Sequence, residues 1–177
     1  MTSSTPNTQI PIPTQSPFLI IGYGNELWGD DAVGPEVAIA VAGWQLPSVK
    51  SIAVQHLMPE LVADIVRADY VIFVDACGQR CALSIQLDPI SMNKTALALC
   101  TEPLLAHDFE PPGLLALTHM LYGRHPQAWL LKIPTEHCDL GKPLSKTAQW
   151  GIDRALRLIE QFFRNYLRPL VWVKGLA

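Results

Sequence analysis

The first 49 residues contain no lysine or arginine; the first basic side chain is Lys50. A secretory signal needs a positive start followed by an apolar core, so the opening stretch MTSSTPNTQIPIPTQSP reads instead as a tail, and a cytoplasmic location is expected. Long apolar runs are also missing: FLII, VIFV and AWLLKI are of strand length, well short of the roughly 20 residues of a membrane helix. Charge is sparse, with 13 basic and 16 acidic residues giving a formal net charge of -3. That balance disfavours a nucleic acid or an anionic membrane as partner. Cys77, Cys81, Cys100 and Cys138 form no C-x-x-C, so a thioredoxin-like redox motif and a paired zinc site are both excluded. Reduced thiols are expected at all of them. No G-x-S-x-G elbow, H-E-x-x-H helix or G-x-x-x-x-G-K-[ST] loop occurs.

What remains is a chain of 177 residues, 49% of them hydrophobic, enough for one domain with a sizeable core. A tail over 1–17, a single domain over 18–167 and a C-terminal tail over 168–177 are expected. Phe18–Gly22 is a buried strand. Asp31–Trp44 has helical spacing at Val33, Val37, Ala40, Val41 and Trp44, with Asp30 or Asp31 as its N-cap. Ser51–Leu57 is a second strand and Pro59–Ala68 a helix with proline in its first turn. Tyr70–Asp75 is apolar almost throughout, as a central parallel strand is. Cys81–Asp88 alternates apolar and polar residues and is expected to form a hairpin with Tyr70–Asp75 through a turn at Cys77–Arg80. Ser91–Pro112 is irregular. Gly113–Tyr122 is a helix stopped near Gly123, Trp129–Pro134 the last core strand, and Ser145–Tyr166 a long amphipathic helix capped by Ser145. Strands alternating with helices predict a three-layer α/β/α sandwich, whose sites form at the carboxyl ends of the strands.

The stretch GYGNELWGDDAVG leaves the first strand with glycines and two adjacent acids. It is not a dinucleotide fingerprint. The third glycine position of G-x-G-x-x-G is Leu27, no acid closes the next strand, and paired carboxylates repel a pyrophosphate. No nucleotide is therefore expected. Asp31 follows the first strand and Asp75 ends the third, on one edge of the sheet. If the last core strand is parallel to the first, the helix before it starts at that same edge, which brings His107 there too. Two carboxylates and an imidazole with open positions can hold a divalent metal such as Ni²⁺ or Zn²⁺. Each residue also has a plainer reading: Asp31 as a helix cap, Asp75 as a turn residue, His107 as an ordinary helix-start histidine. His56 can line the same rim, His119 reads as packed, and His125 and His137 fall in loops.

The block GYGNELWGDDAVG, the strand end VIFVDA, the H-D-F before GLLALTHMLYG and the strand end LLKIPTE together resemble the hydrogenase maturation endopeptidases. The resemblance runs from about Phe18 to about Phe163; Ala32 departs from the glycine of many members. It implies a five-stranded twisted mixed sheet with one antiparallel strand. It also implies that Asp31, Asp75 and His107 form a metal-binding and catalytic site, with Asp30 and Asn25 in supporting roles. The implied activity is that of an endopeptidase of aspartyl type. It would remove a short C-terminal extension from the precursor of a [NiFe] hydrogenase large subunit, after nickel has been inserted into that precursor. Nickel would then arrive with the substrate. Cys77, close to the rim, reads as a small rim residue and not as a nucleophile. A non-catalytic chaperone that checks nickel loading would use the same three residues.

Overall fold

The structure, a computed structural model, describes residues 17–78, 84–91 and 109–166. Its central strands are those with the longest unbroken apolar runs. β1 (Phe18–Tyr23) and β3 (Tyr70–Cys77) lie side by side in parallel, flanked by β2 (Val49–Val54) and β5 (Gln127–Pro134). The order is β2-β1-β3-β5-β4. Residues 71–74 of β3 are all buried, because both faces of the strand are covered and both of its edges are paired.

Alternation along β1 divides the interior into two cores. Phe18 and Ile20 face one side with Ile72, Val74, Leu131 and Ile133, covered by α1 (Val33–Gly43) and the long α4 (Lys146–Tyr166). Leu19 and Ile21 face the other with Val71 and Phe73, covered by the short α2 (Val62–Ile65) and by α3 (Pro111–Tyr122). The result is the expected three-layer sandwich around a five-stranded mixed sheet with one antiparallel strand.

The expected hairpin does not form. β4 (Gln86–Pro89) is antiparallel, but its partner is β5, with Gln86 opposite Lys132 and Pro89 opposite Trp129. Both edges of β3 are taken by parallel neighbours. The half-exposed β4, ending in a proline that donates no hydrogen bond, suits the outer edge instead. Residues 81–83 of the expected strand lie outside the described residues.

The acids do not cap α1 either. A 3-10 turn at Gly29–Ala32 precedes the helix, and neither start has a side-chain cap. α2 is shorter than its pattern, with a 3-10 turn at Pro59–Leu61 ahead of it. The end of α3 and the start of α4 follow the sequence. Gly123 stops α3 at φ 69°, and the Ala148 amide donates to Ser145 Oγ (3.0 Å) at the start of α4.

Two glycines set how closely α1 seats on the sheet. A Cβ on Gly22 would lie 1.9 Å from the Gly34 carbonyl oxygen. One on Gly34 would lie 2.3 Å from the Tyr23 and 2.6 Å from the Val74 carbonyl oxygens. Both glycines therefore serve backbone contact between helix and strands. Gly34→Ala is expected to cost about 3 kcal/mol in urea denaturation, the upper end for overpacking against rigid backbone. A loss below about 1 kcal/mol would show that α1 can shift freely.

Candidate active site

β1 and β3 start in register, Phe18 beside Tyr70, and stay paired through Gly22 beside Val74. The next rung brings Tyr23 beside Asp75, both on the α2/α3 side of the sheet by alternation. The Tyr23 hydroxyl donates to Asp75 Oδ2 at 2.9 Å. Beyond Tyr23 the chain turns through Gly24. Its φ is 141°, and a Cβ there would lie 2.0 Å from the Asp31 carbonyl oxygen, so the turn admits no side chain. This turn brings the Asn25 amide to Asp31 Oδ2 at 2.6 Å. Asp31 and Asp75 thus both lie at the carboxyl edge, near enough for the charge of Asp31 to act on Asp75.

Asp30 faces the opposite way and is fully buried. Its Oδ1 accepts from the Ser145 amide (2.6 Å). Its Oδ2 accepts from Ser145 Oγ (2.7 Å) and from the amides of Glu136 (2.8 Å) and His137 (3.2 Å). The Asp30 amide in turn donates to the His137 carbonyl, and the Gly141 amide to that of Leu27. Asp30 therefore pins the loop carrying Asp31 to the segment between β5 and α4. Burial alone would raise its pKa, but the bonds from Ser145, Glu136 and His137 outweigh that and hold it below the usual carboxylate value.

Asp75 shifts in the other direction. Burial is the main cause and Asp31 adds to it; the Tyr23 bond, the Ala76 amide and Lys132 oppose them, and the pKa is pushed up to about 6. Lys132 is itself shared with Asp88, 3.6 Å away. Tyr23 is raised well above the ordinary tyrosine value by burial, then by the charge and hydrogen bond of Asp75, and by Glu110. Its phenol remains a proton donor in hydrogen bonds throughout the physiological range.

His107 lies outside the described residues. Among those that are described, no three His, Cys, Asp or Glu side chains are grouped to hold a metal ion. His119 and His125 contact one another, ring centroids 5.6 Å apart, around the C-terminal end of α3. His56 is exposed after β2. His137 belongs to the segment that Asp30 holds, and its Nδ1 is buried without a hydrogen-bond partner among the described residues. Tyr23 is a site residue that the sequence reading passes over. Its signal was present: Tyr23 stands five residues after Phe18, as Asp75 does after Tyr70.

The expectation of reduced thiols fails at Cys77, which is disulfide-bonded. Cys138 is free and exposed. Burial raises its thiol pKa, as do the charges of Asp31 and Asp30, so it is a poor nucleophile. Cys138→Ser is expected to retain peptide-bond cleavage within about twofold. Loss of cleavage in that variant would identify a thiol mechanism.

No protein-family model matches the chain, and no curated protein matches it. Solved structures do. The hydrogenase maturating endopeptidase HybD from E. coli superposes with a TM-score of 0.66 at 21% identity, over 84% of this chain and 93% of that one. This chain has the fold of the hydrogenase maturation proteases. A [NiFe] hydrogenase maturation protease, HycI from Thermococcus kodakarensis, is similar at TM-score 0.65 and 21% identity, over 85% and 94% of the two chains. A hydrogenase 2 maturation peptidase from a Thaumarchaeota archaeon follows at 0.62 and 21%, over 83% and 97%. The fold shared with these proteases agrees with the family that the sequence resembles. No helix among the described residues is long and apolar enough to cross a membrane.

Proposed function

We propose that this protein is an endopeptidase that removes a short C-terminal extension from the nickel-loaded precursor of a [NiFe] hydrogenase large subunit. The observation that carries the reading is the placement of Asp31 and Asp75 at the carboxyl edge, each carboxylate held by hydrogen bonds from neutral donors. Two acids held this way favour a cation. In this reading nickel is part of the substrate, and Asp31, Asp75 and His107 supply ligands to it.

With nickel as the register, the scissile peptide bond is brought to the two acids. The bound ion either marks the bond or polarises its carbonyl, and a carboxylate serves as general base for the attacking water. Hydrolysis breaks the C–N bond; the water's hydroxyl goes to the carbonyl carbon and its proton to the amine. Asp75, ionised above about pH 6, is charged for either task at neutral pH. The cytoplasm is the compartment proposed.

Intact mass measured after mixing with nickel-loaded and nickel-free precursor tests this directly. A C-terminal peptide released only from the loaded form is expected. Equal release from both forms would remove the nickel requirement. Binding without release from either would make the protein a chaperone that checks loading.

A further inference from the structure

We propose that Tyr23 is the positioning residue that aims Asp75 at the incoming nickel, by holding Oδ2 of the carboxylate with its hydroxyl. The inference rests on the reading of Asp31 and Asp75 as nickel ligands. The two acids are oriented by different means. Asp31 is fixed by the backbone amide of Asn25, a donor that persists whatever side chain residue 25 carries. Asp75 is held by the Ala76 amide and, on Oδ2, by a side chain from the neighbouring strand, the Tyr23 hydroxyl at 2.9 Å.

The terminal torsion of an aspartate is broad, so a carboxylate at a strand end keeps one orientation only if something holds it. Tyr23 suits that task. Its ring packs against the core of Leu19, Ile21 and Phe73, which limits where its hydroxyl can go. The bond joins adjacent strands of one rigid sheet, and a hydroxyl donating to a carboxylate makes one of the stronger hydrogen bonds. Partners of this kind, behind a metal ligand, typically change metal affinity or activity 10- to 100-fold when removed.

The test compares Tyr23→Phe, Asp75→Asn and a packing control, Ile21→Val, on the full chain. Four quantities are read: kcat and KM for the nickel-loaded precursor, Ni²⁺ affinity by competition with a chromogenic chelator, and the urea midpoint. Tyr23→Phe keeps the ring and loses the hydroxyl. Its kcat is expected to fall about 10- to 100-fold, with KM within about twofold and Ni²⁺ affinity down about tenfold. Ile21→Val lowers the urea midpoint through the same core and is expected to leave kcat and Ni²⁺ affinity unchanged. Tyr23→Phe with unaltered kcat and Ni²⁺ affinity, beside an inactive Asp75→Asn, overturns the role of Tyr23 and spares the site. An equal fall of kcat in Ile21→Val also overturns it, since packing then explains the loss. An active Asp75→Asn overturns the reading of the site itself.

Discussion

Asp75→Asn is expected to lower release of the C-terminal peptide by at least about 10³-fold, on the scale of other losses of a group that acts directly on the reacting centre. It is also expected to leave the protein folded, and more stable at alkaline pH. Those two effects in opposite directions separate a functional acid from a structural one. The direction of the stability change follows from the raised pKa, about 6 in the folded chain against about 3.9 in an unfolded one. Between those values the folded state holds the proton more tightly, so ionising Asp75 lowers stability as pH rises from about 4 to about 6. Asparagine removes that slope. Its gain at pH 8 is on the order of 1–2 kcal/mol, read from urea denaturation at several pH values. Cleavage by the unaltered protein is expected to rise through about pH 6 as the carboxylate ionises. An Asp75→Asn protein that cuts normally would remove this carboxylate from the site, and one that unfolds would show that it serves the fold.

Asp30→Ala is expected to show the reverse pattern, a loss of about 3–5 kcal/mol in urea unfolding. The substitution leaves the amides of Glu136, His137 and Ser145 and the Ser145 hydroxyl without the acceptor they share. Asp30→Asn keeps one accepting oxygen but turns an NH₂ group toward donors, so about half that loss is expected. Because the folded-state pKa is held low, this stabilisation is present above the unfolded value near 3.9 and is lost as pH falls through the folded one. The acid limb of the stability profile should therefore flatten in both variants. Cleavage should fall as well, since the Asp31 loop is docked through its neighbour. A change below about 1 kcal/mol in Asp30→Ala would mean that the two loops are held together by other contacts.

The adjacent acids Asp30 and Asp31 thus do unlike work, and sequence alone did not divide it between them. Helix capping, the plain reading of either, applies to neither. The bonds of Asp30 span 106 to 115 residues, far beyond any local pattern. The pairing of β4 was hidden for the same reason. Alternation shows that a strand has one buried face and leaves its neighbour unnamed, and β5 lies some 40 residues further along the chain.

Local chemistry in the sequence was enough to determine the three central parallel strands, the Gly123 stop and the Ser145 cap. Apolar continuity, a left-handed glycine and a capping hydroxyl each act within a few residues. It also marked Asp31, past the first strand, and Asp75, near the end of the third, as acids toward one edge of the sheet. Only the tertiary structure decided which groups hold them: a backbone amide for Asp31, a tyrosine from the neighbouring strand for Asp75, and for Asp30 a segment from the far end of the chain. Hydrogen bonds act over about 3 Å, and only folding brings groups so distant in sequence to that range.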